Sequence, residues 1–136
     1  MIDASSERRP YLTTFTNEKL KAYGDATPDK GGMGAGFRPH ELLEAALATC
    51  MNIHLRMYTS NHGLELENVV TKVVLDRSLP TKAVFKYSIE LLGSLSEEQK
   101  RKLLQIAETC PVRQTLSRTI STQYMDSAGA ASVSHN

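Results

Sequence analysis

One stretch constrains the chain more than any other. Residues 39–61 read PHELLEAALATCMNIHLRMYTSN, a run of helix formers with no further Gly or Pro until Gly63. Pro39 suits a first helical turn, where its missing N–H costs nothing. Leu43, Ala46, Leu47, Cys50, Ile53, His54 and Met57 recur at steps of three and four and share one face. Glu41, Glu44, Ala48 and Asn52 point elsewhere. At about 1.5 Å per residue the helix is about 30 Å long, enough to cross a small domain. The rest of the chain must therefore be built around it, and Cys50 stands midway along its apolar stripe.

The flanking segments supply strands. Residues 1–9 are polar and read as a frayed end. Residues 11–16 (YLTTFT) are β-branched and aromatic, and Asn17-Glu18 turns them into a second strand at 19–23. Residues 24–36 form a loop with five of the chain's eight glycines. Its GGMGAG run is not a phosphate loop, because no Gly-Lys-Ser/Thr follows and no strand leads into it directly. Beyond the helix, His62-Gly63 is a stop signal. Strands are expected at 67–76 and 83–92, as a long hairpin with one wet face. Ala83, Phe85, Tyr87, Ile89 and Leu91 lie on one side, opposite Lys86, Ser88 and Glu90. Ser96 opens a second helix with a capping box, and Pro111 breaks it, leaving Cys110 at a junction before a short piece at 112–116. Residues 119–124 (TISTQY) read as a last strand. The class is α+β, a mainly antiparallel sheet wrapped around a long central helix. One domain is expected over residues 1–125, with a disordered tail at 126–136. One sheet and one short helix cover a central helix incompletely, so a second subunit is expected to complete the core across a two-fold axis.

Charge and cysteine usage narrow the function. A net charge of +1 gives no electrostatic reason for nucleic acid or an anionic membrane. No apolar run reaches membrane-spanning length, and MIDASSERR has no signal-like apolar region, so the protein is expected to be cytoplasmic. Two cysteines are too few for a disulfide scaffold. Cys50 reads either as a small core residue or as a reactive thiol. Cys110, in Thr-Cys-Pro-Val, sits where a helix begins, where backbone N–H groups favour a thiolate. The two cysteines are candidates for a redox pair. Cys50 and His54, one turn apart, also have a spacing that can ligate zinc, but a lone His on an apolar face is more often a hydrogen-bonded core residue.

Two motifs resemble a known family. Residues 36–50, GFRPHELLEAALATC, resemble the GxxPxELLxAAxxxC signature of the OsmC/Ohr superfamily (osmotically inducible protein C and organic hydroperoxide resistance protein). Residues 110–116, CPVRQTL, resemble its second-cysteine motif, CPxxxxL, and the spacing of sixty residues fits. Residues 25–28 and 55–58 resemble an OsmC-like subgroup. The resemblance spans about residues 11–124.

It implies an OsmC-like fold, an intertwined homodimer and a peroxidase that needs no cofactor. The substrates would be organic hydroperoxides and hydrogen peroxide, in oxidative-stress defence. Cys50 would be the peroxidatic thiol, oxidised to a sulfenic acid, and Cys110 the resolving thiol that closes a disulfide with it. A dithiol reductant would restore both. Family peroxidases also pair the first cysteine with a glutamate ten residues earlier and with an arginine from an early strand. Here His40 holds the first of those positions, with Glu41 beside it. A continuous helix puts His40 about 15 Å along the axis from Cys50, so contact needs a helix break or the other subunit. Residues 11–24 hold no arginine, and Arg8 and Arg9 precede the first expected strand. Arg56 lies about 120° around the helix from Cys50, while Arg38 and Arg113 are candidates by nearness to the motifs. The N-terminus is short for the family, as if an edge strand were missing. The alternative is a non-catalytic redox sensor or small-ligand-binding dimer, which the missing strand arginine favours and the retained cysteine pair opposes.

Overall fold

The computed structural model describes residues 1–126. Its elements are β1 (Asp3–Ser6), β2 (Thr13–Thr16), β3 (Lys21–Gly24), a single 3-10 turn (Pro28–Lys30), α1 (Pro39–His62), β4 (Leu66–Leu79), β5 (Lys82–Gly93), α2 (Glu97–Ala107) and α3 (Pro111–Leu116). The class is α+β, as the sequence predicts. The strands fall into two antiparallel sheets, a β1-β2-β3 meander and a long β4-β5 hairpin.

Helix α1 begins at Pro39 and ends at Gly63, which takes the left-handed conformation (φ 63°) that glycine adopts without strain. The side chains it buries are Leu47, Met51, Leu55 and Thr59, a row at steps of four. This corrects the predicted face. Leu43, Ile53 and Met57 are exposed, and Cys50 and His54 lie on the border between the two rows. The helix is apolar on two adjacent sides, so periodicity alone does not say which side packs. The hairpin settles the choice, because α1 lies on its inner face.

On that inner face, Val73, Phe85, Tyr87 and Ile89 pack around Leu47, Met51 and Cys110. Leu55 joins Leu66, Val69, Leu103 and Ala107 in a second cluster nearer the end of the helix. Lys86, Ser88 and Glu90 face away, as expected. Among the described residues, no strand lies beside the outer edge of β4. Side chains of α1 satisfy its backbone instead. Glu44 accepts the Leu75 N–H (2.8 Å), and Asn52 donates to the Val69 carbonyl (3.2 Å). Arg56 donates to the Leu66 and Glu67 carbonyls (2.7 Å each). This polar row screens an edge that would otherwise be free to pair.

The N-terminal meander contributes no residue to either cluster. Its first strand is a correction: residues 3–6 were expected to fray, yet Ala4 pairs with Phe15 and Ser5 with Thr14. The ladder, not the polar sequence DASS, makes this strand. Arg8 and Arg9 therefore follow a strand instead of preceding the first one. At the other end, residues 119–124 form no strand. Their β-branched character finds no ladder partner among the described residues, and Ile120 and Tyr124 remain exposed. The expected tail at 126–136 lies outside the described residues apart from Asp126.

Between β3 and α1 the glycine loop is organised by Asp25, which is buried. Its carboxylate accepts the N–H groups of Ala26 (2.8 Å), Met33 (3.2 Å) and Ala35 (2.9 Å). Gly36 must be glycine, since a Cβ there would stand 2.4 Å from the Tyr23 carbonyl oxygen. The loop thus closes tightly and delivers the chain to Pro39.

Candidate active site

The two cysteines come from elements far apart in sequence and meet in one cluster. Cys110 is the N-cap of α3 and completely buried. Pro111 ensures that a helix restarts there, and the Arg113 N–H donates to Cys110 Sγ (3.4 Å). Cys50 is half-buried, packed against the cluster of Leu47, Met51 and Cys110. Both thiols are free. Burial pushes the Cys110 thiol up, the Arg113 N–H pulls the other way, and the neighbouring Cys50 thiol adds to the rise. Cys110 is therefore a thiol that keeps its proton.

In front of Cys50 lies an open cleft of about 460 Å³. Ala46, Thr49, Ile53, Met57, Pro111 and Val112 give it mainly apolar walls, with His54 beside Cys50. The exposed row of α1 is thus one wall of the cleft. Cys50 can meet a small apolar molecule there, whereas Cys110 is completely buried.

The other predicted residues stand elsewhere. Glu41 accepts the Arg38 N–H (2.9 Å) and pairs with Arg38 Nε (3.2 Å). The Arg38 N–H and side chain hold its carboxyl below the usual range. His40 is exposed in the same first turn. Because α1 is unbroken from Pro39 to His62, neither residue reaches the Cys50 of its own chain. Arg56 is tied to the edge of β4, and Arg113 Nη1 donates to the Glu108 carbonyl (3.0 Å). Among the described residues, no group of three or more His, Cys, Asp or Glu side chains could hold a metal ion. Nor is any helix long and apolar enough to cross a membrane.

Sequence reasoning missed two features here. The row Glu44, Asn52, Arg56 follows helical steps of eight and four, a signal that points to a polar seam although not to its partner. The other is the partner of His54: the hydrogen bond expected of this histidine goes to Thr109 Oγ1, 2.9 Å from Nε2 and next to Cys110. A contact across 55 positions leaves no local trace in the sequence.

A family model described as OsmC-like protein matches residues 31–125, a span that includes both cysteines. The chain belongs to the OsmC-like family. A search of curated protein sequences found no match. Solved structures of OsmC-like proteins share the fold. An OsmC-like protein from Mycoplasma pneumoniae superposes with a TM-score of 0.72 at 20% identity, over 85% of each chain. The organic hydroperoxide resistance protein OsmC of Legionella pneumophila gives 0.61 at 22% identity, over 86% of this chain and 88% of the other. The organic hydroperoxide resistance protein OhrB of Bacillus subtilis gives 0.55 at 21% identity, over 86% and 89%. At these identities the likeness is one of fold.

Proposed function

We propose that this OsmC-like protein is a thiol-dependent peroxidase that reduces organic hydroperoxides and hydrogen peroxide in the cytoplasm. One observation carries the reading: a half-exposed thiol opens onto an apolar cleft and packs against a cluster that holds a second, buried thiol. The names of the Legionella and Bacillus relatives support the substrate class.

The Cys50 thiolate attacks the terminal peroxide oxygen. The O–O bond breaks, and the products are a Cys50 sulfenic acid and an alcohol, the alkoxide taking up a proton. The Cys110 thiol then attacks the sulfenic sulfur. Water leaves and the Cys50–Cys110 disulfide forms. A dithiol reductant returns both thiols by exchange. The apolar walls suit an alkyl peroxide, and a resolving thiol in the next shell limits oxidation beyond the sulfenic acid.

A homodimer completes this account. Leu43, Ile53 and Met57 are open on α1. A second open apolar groove of about 850 Å³ runs between the N-terminal meander and the start of α1, past Ile2, Tyr11, Phe15 and Leu42. Two such faces on one chain suit a second copy. The same assembly offers Arg8 and Arg9, on the turn that leaves β1, as the early-strand arginine that Cys50 lacks in its own chain. His40 and Glu41 gain a route to the partner's thiol in the same way.

The test is one equivalent of cumene hydroperoxide added to the reduced protein, followed by non-reducing peptide mapping. A Cys50–Cys110 linkage is expected in the parent, with a sulfenic acid trapped at Cys50 in Cys110→Ser. Two unmodified thiols in the parent would reject the peroxidase and leave a small-ligand binder.

A further inference from the structure

His54 and Thr109 join α1 to the segment that carries Cys110. The direction of their bond is fixed by proton counting. Thr109 has a single hydroxyl proton, and it goes to the Ile106 carbonyl at 2.7 Å, since a carbonyl can only accept. Toward His54 the same oxygen must therefore accept, so the imidazole carries its proton on Nε2. A neutral ring in this tautomer and a charged ring both donate from Nε2, so the bond survives protonation of the histidine.

Its position matters more than its strength. His54 stands one turn after Cys50 on α1 and shares the cleft wall with it. Thr109 is the residue before Cys110, at the break between α2 and α3. The backbone at this break otherwise makes short-range bonds: Glu108 N–H to the Gln105 carbonyl, Thr109 N–H to the Ile106 carbonyl, Cys110 N–H to the Ala107 carbonyl, and Arg113 Nη1 to the Glu108 carbonyl. The His54–Thr109 bond ties this break to the helix that bears the attacking thiol, alongside the Cys50–Cys110 contact itself.

We propose that His54 is a positioning residue for disulfide closure: its bond to Thr109 latches Cys110 beside Cys50 and speeds the resolving step. This rests on the peroxidase reading above. The Cys50 sulfenic acid has two fates. Cys110 attacks it, releasing water and forming the disulfide, or a second hydroperoxide oxidises it to the sulfinic acid and leaves as the alcohol. Only the first depends on where Cys110 sits. The ratio of disulfide to sulfinic product is independent of how fast the sulfenic acid forms.

The experiment treats the full chain with increasing cumene hydroperoxide and reads that ratio by intact mass, for the parent, His54→Leu, His54→Gln, Thr109→Val and Cys110→Ser. Losing one hydrogen bond from the positioned state is expected to lower the ratio about five- to tenfold in His54→Leu and Thr109→Val. His54→Gln, whose amide can donate to Thr109, is expected to recover most of it. Nitrogen-detected NMR of the parent should show the Nε2–H tautomer at His54. Cys110→Ser, which cannot close the disulfide, marks the lower limit. A parent that forms disulfide while both latch variants keep its ratio would overturn the latch and leave the peroxidase standing. A parent that forms no disulfide would overturn both. Should His54→Leu fold poorly, Thr109→Val against Thr109→Ser gives the same comparison from the other side.

Discussion

At the scale of single residues, the chemistry is divided by access. Cys50 opens onto the cleft, and Cys110 is buried with its proton behind it. The cysteines and their motifs were legible in the sequence because Cys50 sits in a long helix and Cys110 precedes a proline. Their surroundings were not. His54 finds its partner 55 residues away, and Arg56, about 120° around the helix from Cys50, is held by two strand carbonyls. Asp25 is the other residue with a role of its own. The Ala35 N–H above all, with those of Ala26 and Met33, holds its carboxyl below the ordinary value of 3.8, against the opposing effect of burial. The folded state therefore favours the charged form. That stabilisation is complete above pH 3.8 and is lost as pH falls through the lower folded value. Asp25→Asn is expected to lower the urea midpoint at neutral pH and to flatten its decline in acid. Identical acid limbs for variant and parent would show that Asp25 is not the group responsible.

At the scale of elements, α1 was the easiest to read and the easiest to misread. Its ends were marked by Pro39 and Gly63, and the structure places them within a residue of expectation. Its buried side was not, because apolar residues occupy two neighbouring rows and only the β4-β5 hairpin chooses between them. Strand β1 shows the complementary failure. Its four polar residues carry no strand signal, yet β2 holds them in register. Residues 119–124 carry the signal and find no ladder. Propensity needs a partner before it becomes structure. The choice of row has an energetic consequence. Leu47 is buried between α1 and the hairpin, so Leu47→Ala is expected to cost about 2–5 kcal/mol in urea unfolding. A loss below about 1 kcal/mol would mean the hairpin does not pack on this row.

At the scale of the whole molecule, the described chain leaves two apolar faces open, the second row of α1 and the groove beside the N-terminal meander. Exposed apolar faces of this kind mark interaction surfaces. On the proposed peroxidase reading a second copy is expected to cover these faces and to bring an arginine to Cys50. Light scattering at micromolar concentration is expected to give twice the chain mass, and Met57→Lys, on the open row, to shift the mass toward that of one chain. A parent that stays a single chain at those concentrations would remove the source of the missing arginine.

Steady-state consumption of cumene hydroperoxide with a dithiol reductant puts the central claim to its most direct test, in the parent and in Cys50→Ser. The account predicts sustained turnover in the parent and none in the variant. Parent protein that consumes no peroxide, with both thiols still titratable afterwards, would contradict it.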